Sequence, residues 1–513
     1  MIKQKISFFI TGLLFFFITG IFFLKADTPG IQSTELTLSD SLSEKNLIII
    51  LIDSLRADHL GCYGYDRNTS PFIDSIAGKS ILFNRAFSNS SYTPESVSAI
   101  FSGCFPSSSG ASGWKAILPL SVNSMGQIFN KAGFRTAYLS NSDVCRNYNF
   151  TRGFDFISFC KNQRLSGNGP ELAGKAMTFI NNSIKDGRRF LAYLHFLDPH
   201  GPYHPPYKYY SKFNGNSKNK GADDSKIVKG LASLYGKVRP DCTDLIKEGF
   251  GPGEDRFEDM KMRYDAEISL VDDSIKMLIR GLKEKKILKN SIILITADHG
   301  EEFLEHRFVE HAWTLYSESI HIPLILYVPG LVTSRRINDP VSSVNILPTL
   351  IKLMNIPYNG ADFDGNPLFR FNNDKSDLIF LPRKKPIISE LMIQHRNLVR
   401  MIFKDNWKYI AAVKWLKPED RPAVLASIRK IEKDKKKHLD IWGPVVHEEL
   451  YNLTADPGET LNLVSIEKEK LKQFRKIYNE YKLYCKKKNN QPGKNNQKLS
   501  EKDIKKLKSL GYL

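Results

Sequence analysis

Two short apolar segments, far apart in the chain, each run directly into an aspartate. Residues 47–52 are six consecutive leucines and isoleucines, and Asp53 follows them. Residues 291–297 are similarly apolar and β-branched, and Asp298 and His299 follow them. Runs of this length and composition are typical of parallel strands buried on both faces. Because ligands bind at the carboxyl ends of such strands, the two aspartates are predicted to share one site.

Each aspartate taken alone has a simpler explanation. Asp53 would serve as a helix N-cap, and Asp298 with His299 would form an ordinary solvated turn. The same design at two separate strand ends favours a shared site instead. An aspartate and a histidine supply a carboxylate oxygen and an imidazole nitrogen, and both atoms bind divalent cations.

Predicted strands and helices alternate along most of the chain. Residues 136–139 and 190–196 are further predicted strands, and residues 122–132 and 260–283 have helical periodicity. This alternation predicts an α/β fold with a mainly parallel sheet covered by helices on both faces. From about residue 386 the segments become short, which predicts a smaller α+β subdomain with an antiparallel sheet.

The 513-residue chain is long enough for one large domain and one smaller one. The predicted parts are a membrane anchor or signal segment at 1–25, a linker at 26–45, a catalytic domain at 46–383, a C-terminal subdomain at 384–466 and a lysine-rich helical tail at 467–513. Residues 209–255 are predicted to form a surface insertion, and residues 415–437 a charged helical one.

A predicted membrane anchor lies near the amino terminus. Residues 6–24 carry no charge and are mostly apolar, and Lys3 and Lys5 precede them. A segment of this length spans a bilayer as a helix. The lysines predict a cytoplasmic amino terminus and an extracytoplasmic domain. A cleaved signal peptide is the alternative, although Lys25-Ala26-Asp27 is a poor cleavage site.

Net charge and cysteine spacing bear on partners and compartment. The net charge is +19, and lysine runs such as 435–437 and 486–488 contribute to it. The sequence contains no recognisable nucleic-acid module, so these runs favour an anionic membrane surface or a simple solvated face, and no nucleic acid is predicted as a partner.

The six cysteines show no metal-ligand spacing. Cys145 and Cys160 could form a disulfide in an oxidising compartment, which the sequence leaves open.

Three segments, in the same order, resemble blocks of the sulfatase family within the alkaline-phosphatase superfamily. They are IDSLRADHLGCYGY at 52–65, ITADHGEEFLEH at 295–306 and ELYNLTADPGETLNL at 449–463. The resemblance covers nearly the whole chain after the predicted anchor. It implies a metal-dependent enzyme acting on sulfate or phosphate esters. It also implies that Asp53, Asp298 and His299 occupy metal-ligand positions.

The resemblance implies that Thr93 is the nucleophile and a fourth metal ligand. Sulfatases have Cys or Ser at this position, converted to formylglycine, in the pattern C/S-x-P-x-R. Here Pro94 is shifted by one residue and Val97 replaces the arginine. An alignment on Pro94 would make Tyr92 the nucleophile, but the spacing to Gly103 favours Thr93. A helix N-cap is the alternative role for Thr93, since Pro94 suits a first helical position.

A threonine at this position resembles the phosphotransferases and phosphodiesterases of the superfamily. Beside a metal, a threonine can attack phosphorus and form a covalent phosphoenzyme. The later Gly-Lys-Trp-His block of sulfatases is missing, because residues 140–142 are Ser-Asn-Ser. Glu95 also departs from the family, and its charge is expected to weaken anion binding unless it faces away or reaches the metal.

Several other side chains are candidates for contact with the substrate. His200 and His311 match family positions near the substrate and are predicted to hold ester oxygens or to protonate the leaving group. His195, His204 and Lys115 are weaker candidates for binding the anion. A histidine on a strand is more often a core residue, and a lysine is more often simply exposed.

The predicted cofactor is one divalent ion, with calcium, manganese and zinc as candidates. Ser54 stands where the family often has a second aspartate, which favours manganese or zinc. The leading prediction is cleavage or transfer of a phosphate ester through Thr93. A sulfatase with an altered nucleophile tract is one alternative. A catalytically silent anion-binding protein is the other, favoured by Val97 and opposed by the retained metal-ligand residues.

Overall fold

The computed structural model describes most of the chain. The described residues are 35–37, 41–113, 116–142, 148–160, 167–214, 255–331, 334–358, 363–372, 377–382, 385–393, 397–415 and 441–489. The predicted anchor at 6–24, Lys115 and Cys145 lie outside them, as do most of the two predicted insertions and the end of the tail. Cys160 is described and is a buried free thiol. None of the described helices has the length and apolar character needed to cross a membrane.

The largest sheet has eight strands and organises the molecule. In spatial order the strands are β13 (Arg335–Ile337), β3 (Ile81–Phe83), β12 (Leu324–Tyr327), β8 (Ser291–Ala297), β2 (Asn46–Ile52), β7 (Phe190–Phe196), β5 (Arg135–Ser140) and β6 (Phe156–Phe159). All neighbouring strands are parallel except β12, which is antiparallel to both β3 and β8. The predicted mainly parallel α/β fold is therefore confirmed.

The centre of this sheet brings the two predicted strand ends together. Every residue of β2, β7 and β8 is buried, as expected for strands that are apolar on both faces. Ile52 of β2 lies opposite Ala297 of β8, and both strands run in the same direction. The residues that follow them therefore leave the sheet at one edge.

Ten helices accompany the sheets in the described part of the chain. They are α1 (Pro71–Ala77), α2 (Thr93–Ser102), α3 (Pro106–Ser109), α4 (Met125–Lys131), α5 (Gly169–Lys185), α6 (Tyr207–Tyr210), α7 (Asp255–Glu284), α8 (Ser317–Ile320), α9 (Ile346–Leu353) and α10 (Lys468–Asn489). Short 3-10 turns occupy Ala57–His59, Gly61–Tyr63, Leu288–Asn290 and Ser343–Asn345. The long helices α5 and α7 pack against each other, while every residue of α2 is buried.

The C-terminal part of the described chain contains a four-stranded antiparallel sheet. Its strands are β17 (Ile387–Met392), β18 (Leu398–Lys404), β19 (Trp407–Lys414) and β20 (His447–Asn452). A second hydrophobic core joins this sheet to α10 through residues such as Tyr409, Leu450 and Phe474. The domain boundaries proposed from the sequence stay predictions.

Three small sheets complete the described fold. The first orders β1 (Glu35–Thr37), β16 (Asp377–Phe380) and β15 (Phe369–Phe371). The second pairs β10 (Val309–Glu310) with β9 (Glu302–Phe303), and the third orders β11 (His321–Ile322), β4 (Ala86–Phe87) and β14 (Val341–Ser342). The second sheet shapes the loop that follows β8, because both of its strands lie within that loop.

Candidate active site

Three side chains with metal-binding atoms meet at the carboxyl ends of β2 and β8. Ligand atoms of Asp53, Asp298 and His299 all lie within 4.8 Å of one another, and the three residues are buried. Ser54 has a left-handed backbone with φ of 59°. Its backbone N–H donates to Asp298 Oδ1 at 3.2 Å, which links the two strand ends directly.

Asp53 is surrounded by hydrogen-bond donors. Ser54 Oγ donates to Asp53 Oδ1 at 3.1 Å, and His195 Nε2 lies 3.3 Å from Asp53 Oδ2. Burial alone would raise the pKa of Asp53, but the charge of His200, the bond from His195 and the charge of His299 outweigh it and lower this pKa. The environment of Asp53 therefore favours the ionised carboxylate.

Asp298 lies in a different environment. Its Oδ1 accepts hydrogen bonds from the backbone N–H groups of Ser54 and His299, the latter at 2.9 Å. Its Oδ2 is buried without a hydrogen bond and lies 3.4 Å from His299 Nε2. Burial, together with the charge of Asp53, raises the pKa of Asp298. A buried carboxylate oxygen that lacks a hydrogen bond and lies near a second carboxylate is costly unless a cation lies between them. These residues therefore fit a divalent ion.

Thr93 faces this group from the start of α2. Its Oγ1 lies 3.0 Å from His299 Nε2. The N-cap interpretation of Thr93 is wrong, because Tyr92 has the extended backbone of the N-cap and Thr93 is already the first helical residue. Ser96, one turn further along α2, donates to the backbone carbonyl of Asp298 at 2.6 Å. This bond fixes the helix against the end of β8.

The carboxyl group of Glu95 is bonded to residues other than Asp53, Asp298 and His299. Its Oε1 accepts from the backbone N–H of Gly113 at 2.7 Å, and its Oε2 accepts from Ser90 Oγ at 2.8 Å and from the backbone N–H of Met392 at 3.3 Å. Burial raises the pKa of Glu95 to about 8. Because both carboxyl oxygens are bonded to residues other than the three candidate ligands, and because burial favours the protonated form, the expected conflict with an anionic substrate is reduced.

Three histidine rings form a row beside Thr93. The rings of His299 and His311 are stacked with centroids 4.3 Å apart. The rings of His311 and His200 meet nearly edge to face at 4.8 Å. His311 Nδ1 lies 3.0 Å from Glu301 Oε1. The structure thus brings both predicted substrate histidines next to a predicted metal ligand.

The remaining substrate candidates are placed differently. His195 is buried on β7, and its Nδ1 lies 3.2 Å from Tyr193 OH while its Nε2 faces Asp53. These contacts place His195 against Asp53, and its contact with the substrate stays a prediction. His204 is exposed, and its backbone N–H donates to Glu267. Lys115 is not among the described residues.

Two supporting residues were not singled out by sequence reasoning. Tyr264 of α7 donates from its hydroxyl to the carbonyl of Ser54 at 2.7 Å and accepts from the backbone N–H of Arg56 at 2.9 Å. Arg56 Nη1 donates in turn to the carbonyl of Glu301 at 3.1 Å. In the sequence Tyr264 is one apolar position of an amphipathic helix, so no local signal marks it. Glu301, in contrast, adjoins the Asp-His-Gly motif.

The loop after β8 is packed tightly against α8. A Cβ atom on Gly300 would lie 2.0 Å from the carbonyl oxygen of Glu318, so only glycine fits there. His306 Nδ1 lies 2.6 Å from Glu318 Oε1, and His306 Nε2 lies 3.2 Å from the carbonyl of Glu459. Lys408 of β19 forms a buried ion pair with Glu459 at 2.5 Å. Through these bonds the C-terminal sheet holds the loop that carries Asp298 and His311.

Comparison with known proteins matches this architecture. The sulfatase family model matches residues 45–356. The ulvan-active sulfatase of Formosa agariphila is 24% identical over 386 residues, covering 69% of this chain and 70% of that protein. Arylsulfatase K of Rattus norvegicus is 22% identical over 490 residues, covering 86% of this chain and 78% of that protein.

Solved structures of similar proteins share this fold. A protein in complex with its substrate D-glucosamine-2-N,6-O-disulfate has a TM-score of 0.66 and 17% identity, covering 88% of this chain and 99% of the other. The phosphonate monoester hydrolase of Agrobacterium radiobacter has a TM-score of 0.60 and 16% identity, covering 86% of this chain and 95% of the other. At these identities the likeness shows a common fold.

Proposed function

Since this chain belongs to the sulfatase family and is an ester-hydrolysing enzyme, we propose that it cleaves or transfers phosphate esters through Thr93. The observation that carries this proposal is the position of Thr93 Oγ1, 3.0 Å from His299 Nε2 and beside the two buried aspartates. A hydroxyl in such a site is a candidate nucleophile. The first residue of a ten-residue helix is also a favourable place for an anion.

Asp53, Asp298 and His299 are the residues that would hold a divalent ion. When bound, such an ion lowers the pKa of a nearby hydroxyl and offsets negative charge on the ester. Ser54 Oγ donates to Asp53 Oδ1, and as a neutral hydroxyl it does not supply the negative charge of a second aspartate. Two carboxylates with one imidazole suit manganese or zinc better than calcium. Metal analysis of the purified protein tests this assignment.

The protein residues have distinct tasks in this mechanism. Thr93 Oγ1 attacks phosphorus, while His200 and His311 hold the ester oxygens and serve the leaving group. Ser96 keeps the helix in place through its bond to the Asp298 carbonyl. His195 keeps Asp53 oriented.

A sulfate ester is the second candidate substrate. Relatives named as sulfatases support it, and the similar structure holding a sulfated glucosamine supports an anionic sugar ester. Against it, a threonine side chain cannot form the formylglycine of the resembling sulfatases. The phosphonate monoester hydrolase supports chemistry at phosphorus on this fold.

A small ester panel separates these functions. Wild type and Thr93→Ala are assayed with 4-nitrophenyl phosphate, bis(4-nitrophenyl) phosphate and 4-nitrophenyl sulfate after loading with manganese, zinc or calcium. Turnover of phosphate esters that is lost in Thr93→Ala supports the first proposal. Turnover of the sulfate alone supports the second. A metal-loaded protein that turns over none of them would be the silent binding protein.

We also propose that the enzyme is anchored in a membrane with its catalytic part outside the cytoplasm. The support is the apolar segment at 6–24 with Lys3 and Lys5 before it. Protease added to the outer face of intact membranes should degrade the folded part. Full protection, with no ester hydrolysis on that face, would contradict the proposed orientation.

A further inference from the structure

We infer that Asn141 is a positioning residue that holds the loop carrying His200 at the candidate active site. Asn141 is the middle residue of the Ser-Asn-Ser segment at 140–142, where the Gly-Lys-Trp-His block of sulfatases is missing. This inference rests on the proposed function, because it takes His200 to hold the ester oxygens. It gives a task to a segment that the proposed mechanism does not use.

Asn141 lies at the carboxyl end of β5, on the edge of the sheet that carries the site. β5 and β7 are parallel neighbours, and Ser140 lies opposite His195. The backbone N–H of Asn141 donates to the carbonyl of His195 at 3.3 Å. Asn141 therefore lies beside the point where the chain leaves β7 and enters the loop at 197–204, which contains His200.

The side-chain amide of Asn141 is bonded at both ends to this loop. Its Oδ1 accepts from the backbone N–H of Leu197 at 2.6 Å, and its Nδ2 donates to Asp198 Oδ2 at 3.4 Å. A backbone N–H only donates and an ionised carboxylate only accepts, so the two partners fix the orientation of the amide. Asn141 is 2% exposed. Its amide is therefore used to hold the loop.

Only one residue separates this amide from the backbone of His200. The backbone N–H of His200 donates to the carbonyl of Leu197 at 2.8 Å, and the N–H of Leu197 is the group that Asn141 binds. The turn from Leu197 to His200 brings the ring of His200 to 4.8 Å from the ring of His311. Asn141 thus holds the residue from which this turn begins.

The far end of the loop is held by other elements. The hydroxyl of Tyr203 donates to Glu301 Oε2 at 3.0 Å, and the backbone N–H of His204 donates to Glu267 Oε1 of α7 at 2.7 Å. These bonds remain when the amide of Asn141 is removed. The loss of that amide is therefore expected to release the part of the loop around His200 and to leave the rest in place.

A double-mutant cycle tests this coupling. Full-length wild type, Asn141→Ala, His200→Gln and the double variant are assayed with 4-nitrophenyl phosphate. We expect Asn141→Ala to lower kcat/KM by roughly 10-fold, because a small displacement of a group that positions the substrate is costly. In the His200→Gln background the same substitution should cost less than about 2-fold, because the group that it positions is gone. An equal cost in both backgrounds would overturn the inference, as would an unchanged kcat/KM in Asn141→Ala.

Asn46 provides a matched control at the opposite end of β7. It is also buried, its Oδ1 accepts from the backbone N–H of Phe190 at 3.2 Å, and its Nδ2 donates to the carbonyl of Asn290 at 3.1 Å. Asn46→Ala removes the same kind of contact far from His200 and should lower kcat/KM by less than about 2-fold. If Asn46→Ala showed the same coupling to His200→Gln as Asn141→Ala, the effect would be a general loss of stability and the inference would be wrong.

An exchange of the two side chains keeps the test informative if Asn141→Ala does not fold. Asn141→Asp alone places two carboxylates against each other and should lower kcat/KM by at least about 10-fold. Asn141→Asp combined with Asp198→Asn restores a donor opposite an acceptor and keeps the acceptor for the N–H of Leu197. The combined variant should recover most of the lost activity. No recovery would contradict a role of this pair in holding the loop.

Hydrogen exchange tests the loop without any turnover. Peptides covering residues 197–204 should exchange about 10-fold faster in Asn141→Ala than in wild type and at the wild-type rate in Asn46→Ala. Unchanged exchange in Asn141→Ala would overturn the inference. Thr93→Ala tests the proposed function separately, since full activity in that variant would remove the Thr93 mechanism and would leave the exchange result for the loop as it is.

Discussion

The loops after β2 and β8 bring a carboxylate to the same point but hold it in different ways. Asp53 accepts from two side chains, Ser54 and His195, and neighbouring histidines lower its pKa. Asp298 accepts from two backbone N–H groups, and its second oxygen has no hydrogen bond. The protein itself stabilises the charge of Asp53, whereas the charge of Asp298 needs a cation.

The two loops are also anchored to different parts of the molecule. Tyr264 of α7 holds the loop after β2 within the α/β layer. The loop after β8 is held by His306, Glu459 and Lys408, which connect it to the C-terminal sheet. The difference teaches that the β2 side is a preformed half of the site, and that the β8 side is held by the C-terminal sheet and is the side that the proposed ion would stabilise more.

The largest expected effect comes from Thr93, which contacts the β8 side through His299. Thr93→Ala should lower kcat for phosphate esters by at least about 1000-fold, because the nucleophile is lost. Metal content should stay within about twofold, because the three other proposed ligands remain. Thr93→Ser, which keeps the hydroxyl, is the control and should retain measurable turnover. Equal activity in Thr93→Ala and wild type would contradict the covalent mechanism.

The second prediction tests the contrast between the two carboxylates directly. Asp53→Asn and Asp298→Asn should each weaken metal binding by roughly 100-fold, measured by calorimetry. In the metal-free proteins, the two substitutions should change the free energy of unfolding in opposite directions. Asp298→Asn should stabilise the protein by about 1 kcal/mol, because it removes the charge of a buried carboxylate whose Oδ2 has no hydrogen bond, whereas Asp53→Asn should destabilise it. Chemical denaturation in the presence of a chelator measures the free energy of unfolding of each variant. A change of the same sign in both variants would show that the two carboxylates do not differ in this way.

His195 gives a smaller effect confined to the β2 side. His195→Phe removes the donor to Asp53 Oδ2 while keeping a ring on β7. We expect metal affinity to fall by about 10-fold, since a residue that orients a ligand contributes less than the ligand itself. Tyr193→Phe removes the hydroxyl that contacts His195 Nδ1, so it should also lower affinity, but by only about 2-fold. An unchanged metal affinity in His195→Phe would show that Asp53 needs no such support.

The smallest effect concerns the anchoring of the β8 loop and depends on pH. Burial opposes protonation of His306, but the hydrogen bond and charge of Glu318 outweigh it and raise the pKa of His306 to about 9. The pKa of His306 in the folded protein lies above its unfolded value of about 6.5. Protonated His306 therefore stabilises the fold fully below pH 6.5, and this stabilisation is lost as pH rises through 9.

The corresponding measurement is the free energy of unfolding between pH 6 and 10. One such proton lowers stability by at most about 1.4 kcal/mol per pH unit in this window. His306→Gln should be less stable at pH 6 and should lose this slope. A variant with the same slope as wild type would show that His306 is not the titrating group.

The sequence predicted the strand pair at the centre of the fold and the meeting of Asp53 with Asp298. It could do so because short, β-branched apolar runs are typical of buried strands, and the carboxyl ends of neighbouring parallel strands share an edge. The antiparallel β12 was not predicted, since its residues are as apolar as those of the neighbouring parallel strands. The role of Thr93 as an N-cap was mistaken because helix starts are uncertain by a residue.

The contacts that support the site were mostly beyond sequence reasoning. Tyr264 lies 210 residues from the carbonyl it holds, and Glu95 bonds to Met392 from the C-terminal sheet. Hydrophobic periodicity predicts which face of a helix or strand is buried, but it does not predict which distant residues form hydrogen bonds with that element. Glu301 was visible beside the Asp-His-Gly motif, but its contact with His311 depends on how the loop folds back.

The bridge that Arg56 makes has a consequence for motion. This buried side chain starts in the loop after β2, forms ion pairs with Asp58 and Glu305, and donates to the carbonyl of Glu301 in the loop after β8. Opening either loop alone would break the bonds from the buried guanidinium to Glu305 and to the carbonyl of Glu301, leaving only its pair with Asp58. We therefore expect the two loops to open as one cooperative unit, with amide hydrogens that exchange at a common rate, although they hold their carboxylates so differently.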